Sequence, residues 1–115
     1  MEGMDIDAIV PNLRFCILAE DDRTPVYVQF PEWLTWVVSA EGISVPVKQE
    51  RVGGRFVSTV FLSQMASRHH DDPRHFETLV DDGETSEVVA RYATWEQAET
   101  GHADIVASMV PGPRR

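Results

Sequence analysis

The eleven residues SRHHDDPRHFE, 67 to 77, gather three histidines and three carboxylates. Imidazole and carboxylate are ordinary zinc ligands, and the adjacent His69 and His70 can reach one ion, with His75 or Asp72 completing the set. A centre of that kind would make the chain a metal-dependent enzyme acting through His69, His70 and His75. The spacing, however, matches neither His-x-x-x-His nor His-Glu-x-x-His on a helix, and no cysteine lies nearby. Charges together with Pro73 also suit a solvated connection between two strands. The preferred reading is a polar loop with no metal or cofactor assigned, and the metal enzyme stays as an alternative.

Other reactive residue types sit in settings that favour packing. His102 falls on the apolar face of the last helix, directly after Gly101. A glycine inside a helix costs about 1 kcal/mol relative to alanine, so something must require it. Close approach of the helix to a sheet is the simplest cause, with His102 bonded to a strand or loop group in preference to serving as a catalytic base. Ser58, Thr59 and Thr78 lie on expected strands without a Gly-x-Ser-x-Gly elbow, which gives nucleophilic catalysis no support. Gly53 and Gly54 are followed by neither a helix nor a Lys-Ser/Thr pair, so they are turn residues and not a phosphate loop. Cys16, the single cysteine, sits in the strand-like RFCILA and is read as a small buried hydrophobe. No catalytic residue is assigned.

The elements that must position these groups follow from local pattern. LRFCILA (13 to 19) and PVYVQF (25 to 30) are β-rich runs on either side of EDDRT, a first hairpin. PEWLTWVVSAEG predicts a helix of about ten residues, with Trp33, Trp36 and Val37 on one face and Gly42 as its stop. Residues 44 to 52 and 55 to 62 form a hairpin across Gly53 and Gly54. Pro46 and the polar run 48 to 51 place the first of these strands at a sheet edge, while the second reads as central. HFETLV (75 to 80) and EVVARYA (87 to 93) form a third hairpin. Thr94 with Gln97 makes a capping-box pattern, and Trp95, Ala98, His102, Ile105, Val106 and Met109 define an amphipathic stripe. Trp95, Ala98, Ile105 and Val106 are expected to bury against Phe56, Val60, Phe76 and Tyr92. The fold class is α+β: an antiparallel sheet built from hairpins, one short helix, and a C-terminal amphipathic helix on one face.

A chain of 115 residues fits one domain, with residues 1 to 11 as an arm and 111 to 115 as a tail. Its formal charge of −9 argues against direct nucleic-acid binding and against anionic membranes. The acidic start lacks the basic and apolar regions of a secretory signal, and no run approaches the ~20 apolar residues of a membrane span. The expected compartment is the cytoplasm.

Three stretches taken together resemble a known group. FVSTVFL (56 to 62), HFETLV (75 to 80) and RYATWEQAETGH (91 to 102) are similar to a family of small uncharacterised phage and prophage proteins. Its members read VSTVFLG, then LFETMVF, then RY and TWEEAEAGH. The similarity runs from about Trp33 to Val106. This chain departs from the family in the loop, where SQMASRHHDDPRH replaces a Gly-Leu-Asp-His pattern, and at Leu79 and Asp81. The resemblance implies a phage-type accessory protein of the host-cell cytoplasm, and speaks to origin and fold more than to mechanism.

The expected function is therefore non-enzymatic binding of another protein. Between residues 76 and 110 there are eight acidic residues and one basic, so this segment carries seven of the nine net negative charges. Glu84, Glu87, Glu96 and Glu99 are candidate contact residues for a basic or nucleic-acid-binding host protein. An acidic inhibitor of a nucleic-acid-targeting defence system, of the anti-CRISPR kind, is one alternative to general protein binding. Trp33 and Trp36 are the other candidate contacts, since tryptophan is enriched at binding hot spots, and one of the pair is expected to be exposed.

Overall fold

The computed structural model describes residues 14–40, 44–65 and 73–110. The arm, the Gly42 stop, His69, His70 and the tail lie outside these residues. Seven strands and two helices follow in order: β1 (Arg14–Leu18), β2 (Pro25–Tyr27), α1 (Phe30–Ala40), β3 (Ser44–Val52), β4 (Arg55–Leu62), β5 (Gln64–Met65), β6 (Phe76–Asp81), β7 (Ser86–Tyr92) and α2 (Trp95–Met109). The class is α+β with antiparallel pairing, as the sequence implies. The hairpins divide between two sheets, ordered β2-β1-β5 and β3-β4-β6-β7. The chain separates into two compact units, with boundaries inside β3 at Val45/Pro46, inside β4 at Phe61/Leu62, and at Pro73/Arg74.

The first unit holds β1, β2, β5 and α1. Cys16 faces Tyr27 and Leu18 faces Pro25 in the first hairpin, and Arg14 faces Met65 on the other side of β1. Its turn is built by Asp21, whose carboxylate accepts from the Arg23 and Thr24 amides and from the Thr24 hydroxyl. Those bonds, the Thr24 hydroxyl first, hold the Asp21 carboxyl below its ordinary value. Asp22 takes φ 60, a left-handed conformation that short polar side chains tolerate. Helix α1 packs on β1. Phe15, Phe30 and Trp33 form an aromatic cluster with centroid separations of 4.9 to 5.8 Å. Trp33 Nε1 donates to Ser63 Oγ at 3.0 Å, so the indole has both an apolar and a polar anchor.

The second unit is the four-stranded sheet with α2 on one face. β3 is an edge strand and β4 is central, as expected. Gly53 has φ +61 and Gly54 does not, the pattern of a II′ hairpin turn. Phe61 faces Phe76, and Phe76 faces Tyr92. Thr94 caps α2 by accepting from the Gln97 amide at 3.0 Å, and Gln97 Oε1 reaches back to the Ala93 amide at 3.1 Å. The reach passes the cap residue by one position, a variant of the capping box.

The expected core of this unit is corrected by one residue of strand register. Val57, Thr59 and Phe61 are fully buried, whereas Phe56 and Val60 are only half-buried. Because strand side chains alternate, a helix that meets Thr59 meets 57 and 61 as well and leaves 56 and 60 on the other face. Both faces of β4 are apolar, so composition alone does not choose between them. Within α2, Ala98 and His102 are buried, while Trp95, Ile105 and Val106 are half-buried. Trp95 still meets Phe76 edge-on at 6.1 Å. Phe61 and Phe76 together are worth about 3 to 6 kcal/mol of burial.

Candidate functional site

The most developed polar constellation lies between α2 and its sheet. Glu50 from edge strand β3 approaches His102 Nε2 at 2.8 Å. Nδ1 of the same ring is 2.6 Å from Thr59 Oγ1. Thr59 Oγ1 lies 2.5 Å from Thr78 Oγ1, and Thr78 Oγ1 is 2.9 Å from the Tyr92 hydroxyl. One chain of hydrogen bonds thus ties β3, β4, β6, β7 and α2 together. Its three inner members, His102, Thr59 and Thr78, are 1% exposed or less.

With a neutral imidazole and an ionised carboxylate, donor counting sets one direction for the chain. A neutral imidazole has one donor and one acceptor, and an ionised Glu50 only accepts. Nε2–H therefore donates to Glu50, and Nδ1 accepts from the Thr59 hydroxyl. Thr59 then accepts from Thr78, and Thr78 accepts from Tyr92. Every group is satisfied in one sense around the chain, as buried polar groups require.

Carboxylate, imidazole and hydroxyl in hydrogen-bond sequence have the make-up of a nucleophilic triad. Burial decides against that use. Thr59 is 0% exposed and its oxygen is already engaged by His102 and Thr78, so no carbonyl carbon can approach it. Gly101 supplies the missing reason for its own presence. A Cβ built there would overlap the ring of Tyr92, so only glycine lets α2 settle at this depth. His102 is thus a satisfied histidine bonded to strand groups, as the sequence suggests. The sequence does not show Glu50 as its partner, because Glu50 sits in a polar run typical of an edge strand.

The remaining candidates fall in different places. His75, expected in the polar loop, is 1% exposed, and its ring is tilted by 44° to that of Phe61 with centroids 6.3 Å apart. Among the described residues no group of three or more His, Cys, Asp or Glu side chains is placed to hold a metal ion. Trp33 is 6% exposed and committed to Phe15 and Ser63, so it offers no contact surface. Trp36 is half-buried. Cys16 is buried, as expected.

The acidic candidates separate into two pairs. Glu84 lies in the β6–β7 turn and Glu87 one residue into β7, at the end where Asp81 faces Ser86. Glu96 and Glu99 open α2, which begins just past Tyr92 at the opposite end of β7. Seven residues at about 3.3 Å each separate the ends by roughly 20 Å. The four candidate carboxylates therefore do not lie at one end of the second unit. A hairpin followed by an antiparallel helix brings the turn to the helix C-terminus instead.

Sequence reading missed two exposed features. Leu34 and Val38, one helical turn apart on α1, are 45% and 72% exposed. A groove flanks the C-terminal end of α2, where Val80, Val89, Ile105 and Met109 line a cavity of about 400 Å³. The first could have been found by asking which apolar residues of α1 lie off the face that carries Trp33, Trp36 and Val37; the second has no such signal, because Ile105 and Met109 lie on the apolar stripe of α2 itself. The chain matches no family model, no curated protein and no solved structure.

Proposed function

We propose that the chain is a non-enzymatic accessory protein of phage or prophage type that acts by binding another protein. The observation that carries this reading is the outward apolar pair Leu34 and Val38. Four of the large apolar side chains exposed among the described residues (Val26, Tyr27, Leu34 and Val38) belong to the first unit, the one with fewer described residues. A helix that buries Trp33 on one side and exposes a valine at 72% on another holds apolar surface in excess of what its own core uses. The phage-type origin rests on the similarity of residues 56–62, 75–80 and 91–102 to the family described above. These stretches contain Thr59, Thr78, Tyr92, Gly101 and His102, all members or supports of the hydrogen-bond chain. In this chain these residues tie helix to sheet, so the resemblance supports a reading of architecture more than one of catalysis.

The separation of the acidic pairs favours an apolar contact over mimicry of nucleic acid. Duplex DNA presents about one charge per 1.7 Å along its axis, and two pairs of carboxylates spread over roughly 20 Å fall well short of that density. The test places a photo-cross-linking residue at position 38 and expresses the protein in a bacterial host. A discrete protein adduct, lost on Leu34→Asp and retained on Glu96→Lys with Glu99→Lys, is expected. Loss on the charge reversals alone would instead favour the acidic inhibitor.

A further inference from the structure

We propose that the groove at the C-terminal end of α2 docks a segment of a partner protein that combines aliphatic and basic side chains. This inference rests on the protein-binding reading but uses a different surface, in the second unit. Val80, Val89, Ile105 and Met109 supply the apolar lining, here the floor, and Arg55, Asp82, Glu87 and Ser108 the polar lining, of which Asp82 and Glu87 are exposed. The floor is open for identifiable reasons. Thr78 faces Ala90 and Leu79 faces Val88, so Val89 is the extra residue of a bulge that turns it toward the helix side of the sheet. It remains 44% exposed there. The neighbouring pocket, about 730 Å³, is bordered by Gly53 and Gly54, where an added Cβ would meet nothing.

Three sources of negative potential converge on this groove. Asp82 is held below its ordinary value by the Thr85 and Glu84 amides, so it stays ionised through the neutral range. Both amides, and the Thr85 hydroxyl, use Oδ1. Glu87 adds an exposed carboxylate. The C-terminus of α2 adds the negative end of its dipole, with no basic residue in the last turn to offset it. Against these stands Arg55, located where the two pockets meet. Its guanidinium can donate to the carbonyls of an extended peptide. A lysine or arginine beside the two carboxylates and a leucine-sized side chain on the floor would use both halves of the groove.

The experiment measures fluorescence anisotropy with three labelled short peptides, one alternating Lys and Leu, one Glu and Leu, one Lys and Ser. The Lys–Leu peptide is expected to bind, with the other two weaker by about tenfold or more. Glu87→Lys and Val89→Arg, both at exposed positions, should each weaken the Lys–Leu peptide about tenfold, while circular dichroism stays unchanged. Leu34→Asp should leave peptide binding as it was. Equal binding of the Lys–Ser or Glu–Leu peptide, indifference to Glu87→Lys and Val89→Arg, or no binding at all would overturn the proposal. None of these results touches the position-38 cross-link, so the two readings fail separately.

Discussion

Replacing Gly101 by alanine tests the depth at which α2 sits. In an open helix the change stabilises by about 1 kcal/mol. Here the new methyl would occupy space held by the Tyr92 ring. The ring cannot simply turn aside, because its hydroxyl is bonded to Thr78 Oγ1 at 2.9 Å. Either the helix lifts, stretching the His102 bonds to Thr59 and Glu50, or Tyr92 moves and that bond is lost. Overpacking costs about 1 to 3 kcal/mol and a broken hydrogen bond about 0.5 to 1.5 kcal/mol. Set against the helix gain, Gly101→Ala should destabilise by about 0.5 to 3.5 kcal/mol, read as a lower urea midpoint by circular dichroism.

A double-mutant cycle separates this cause from others. In a Tyr92→Ala background the obstruction is gone, and Gly101→Ala should then stabilise by about 1 kcal/mol, reversing its sign. A coupling of this size is expected for residues in contact or sharing one packed network and not for distant, independent sites. If Gly101→Ala is neutral or stabilising beside an intact Tyr92, the packing of α2 on β7 described here is wrong.

Thr59→Val keeps shape but removes the hydroxyl that serves both His102 and Thr78, and should cost about 1 to 3 kcal/mol in urea unfolding; Thr59→Ser should recover most of it, which a purely steric role would not predict. Trp33→Phe removes the N–H bonded to Ser63 and should lower stability by about 1 to 2 kcal/mol in urea unfolding; an unchanged urea midpoint would refute that bond. Asp21 and Asp82 both have folded values below the ordinary 3.8, so their support for the two turns is present above that pH and is lost as pH falls through the lower folded values. Carboxyl titration by NMR should give midpoints under 3.8 for both residues; midpoints at or above it would refute the turn hydrogen bonds.

Local signals in the sequence were read well where one residue decides a conformation. The Gly53–Gly54 turn sets the ends of β3 and β4 at 52 and 55, and Thr94 with Gln97 sets the start of α2. What the sequence concealed depends on distance along the chain. Nothing in QER announces that Glu50 meets a histidine 52 residues later. The two-residue β5, which adds a third strand to the first hairpin beside β1, is too short to carry a pattern. The acidic candidates look contiguous in sequence because 76 to 110 is one run, yet the fold turns the chain twice within that run. The face of β4 was missed for another reason. With apolar side chains on both sides, alternation defines two faces without ranking them, and the helix takes the one where Thr59 can accept a partner.

That choice shows how a chain of reactive groups becomes a structural tie. Distances alone would class Glu50, His102 and Thr59 with catalytic carboxylate–histidine–hydroxyl sets, since each step is 2.8 Å or less. A catalytic hydroxyl must leave one side open to substrate, while here the second hydrogen bond of Thr59 is taken up by Thr78, which is bonded in turn to Tyr92. The open end of the chain is the carboxylate instead: the Glu50 side chain is 36% exposed and the His102 side chain 1%. Solvent thus reaches the acceptor at the edge strand and stops before the imidazole. Breaking any inner link strands a buried donor or acceptor, which costs more than the bond itself contributes. The arrangement therefore resists separation of helix from sheet at several points, and that role accounts for Thr59, Thr78, Tyr92, Gly101 and His102 without assigning a reaction to any of them.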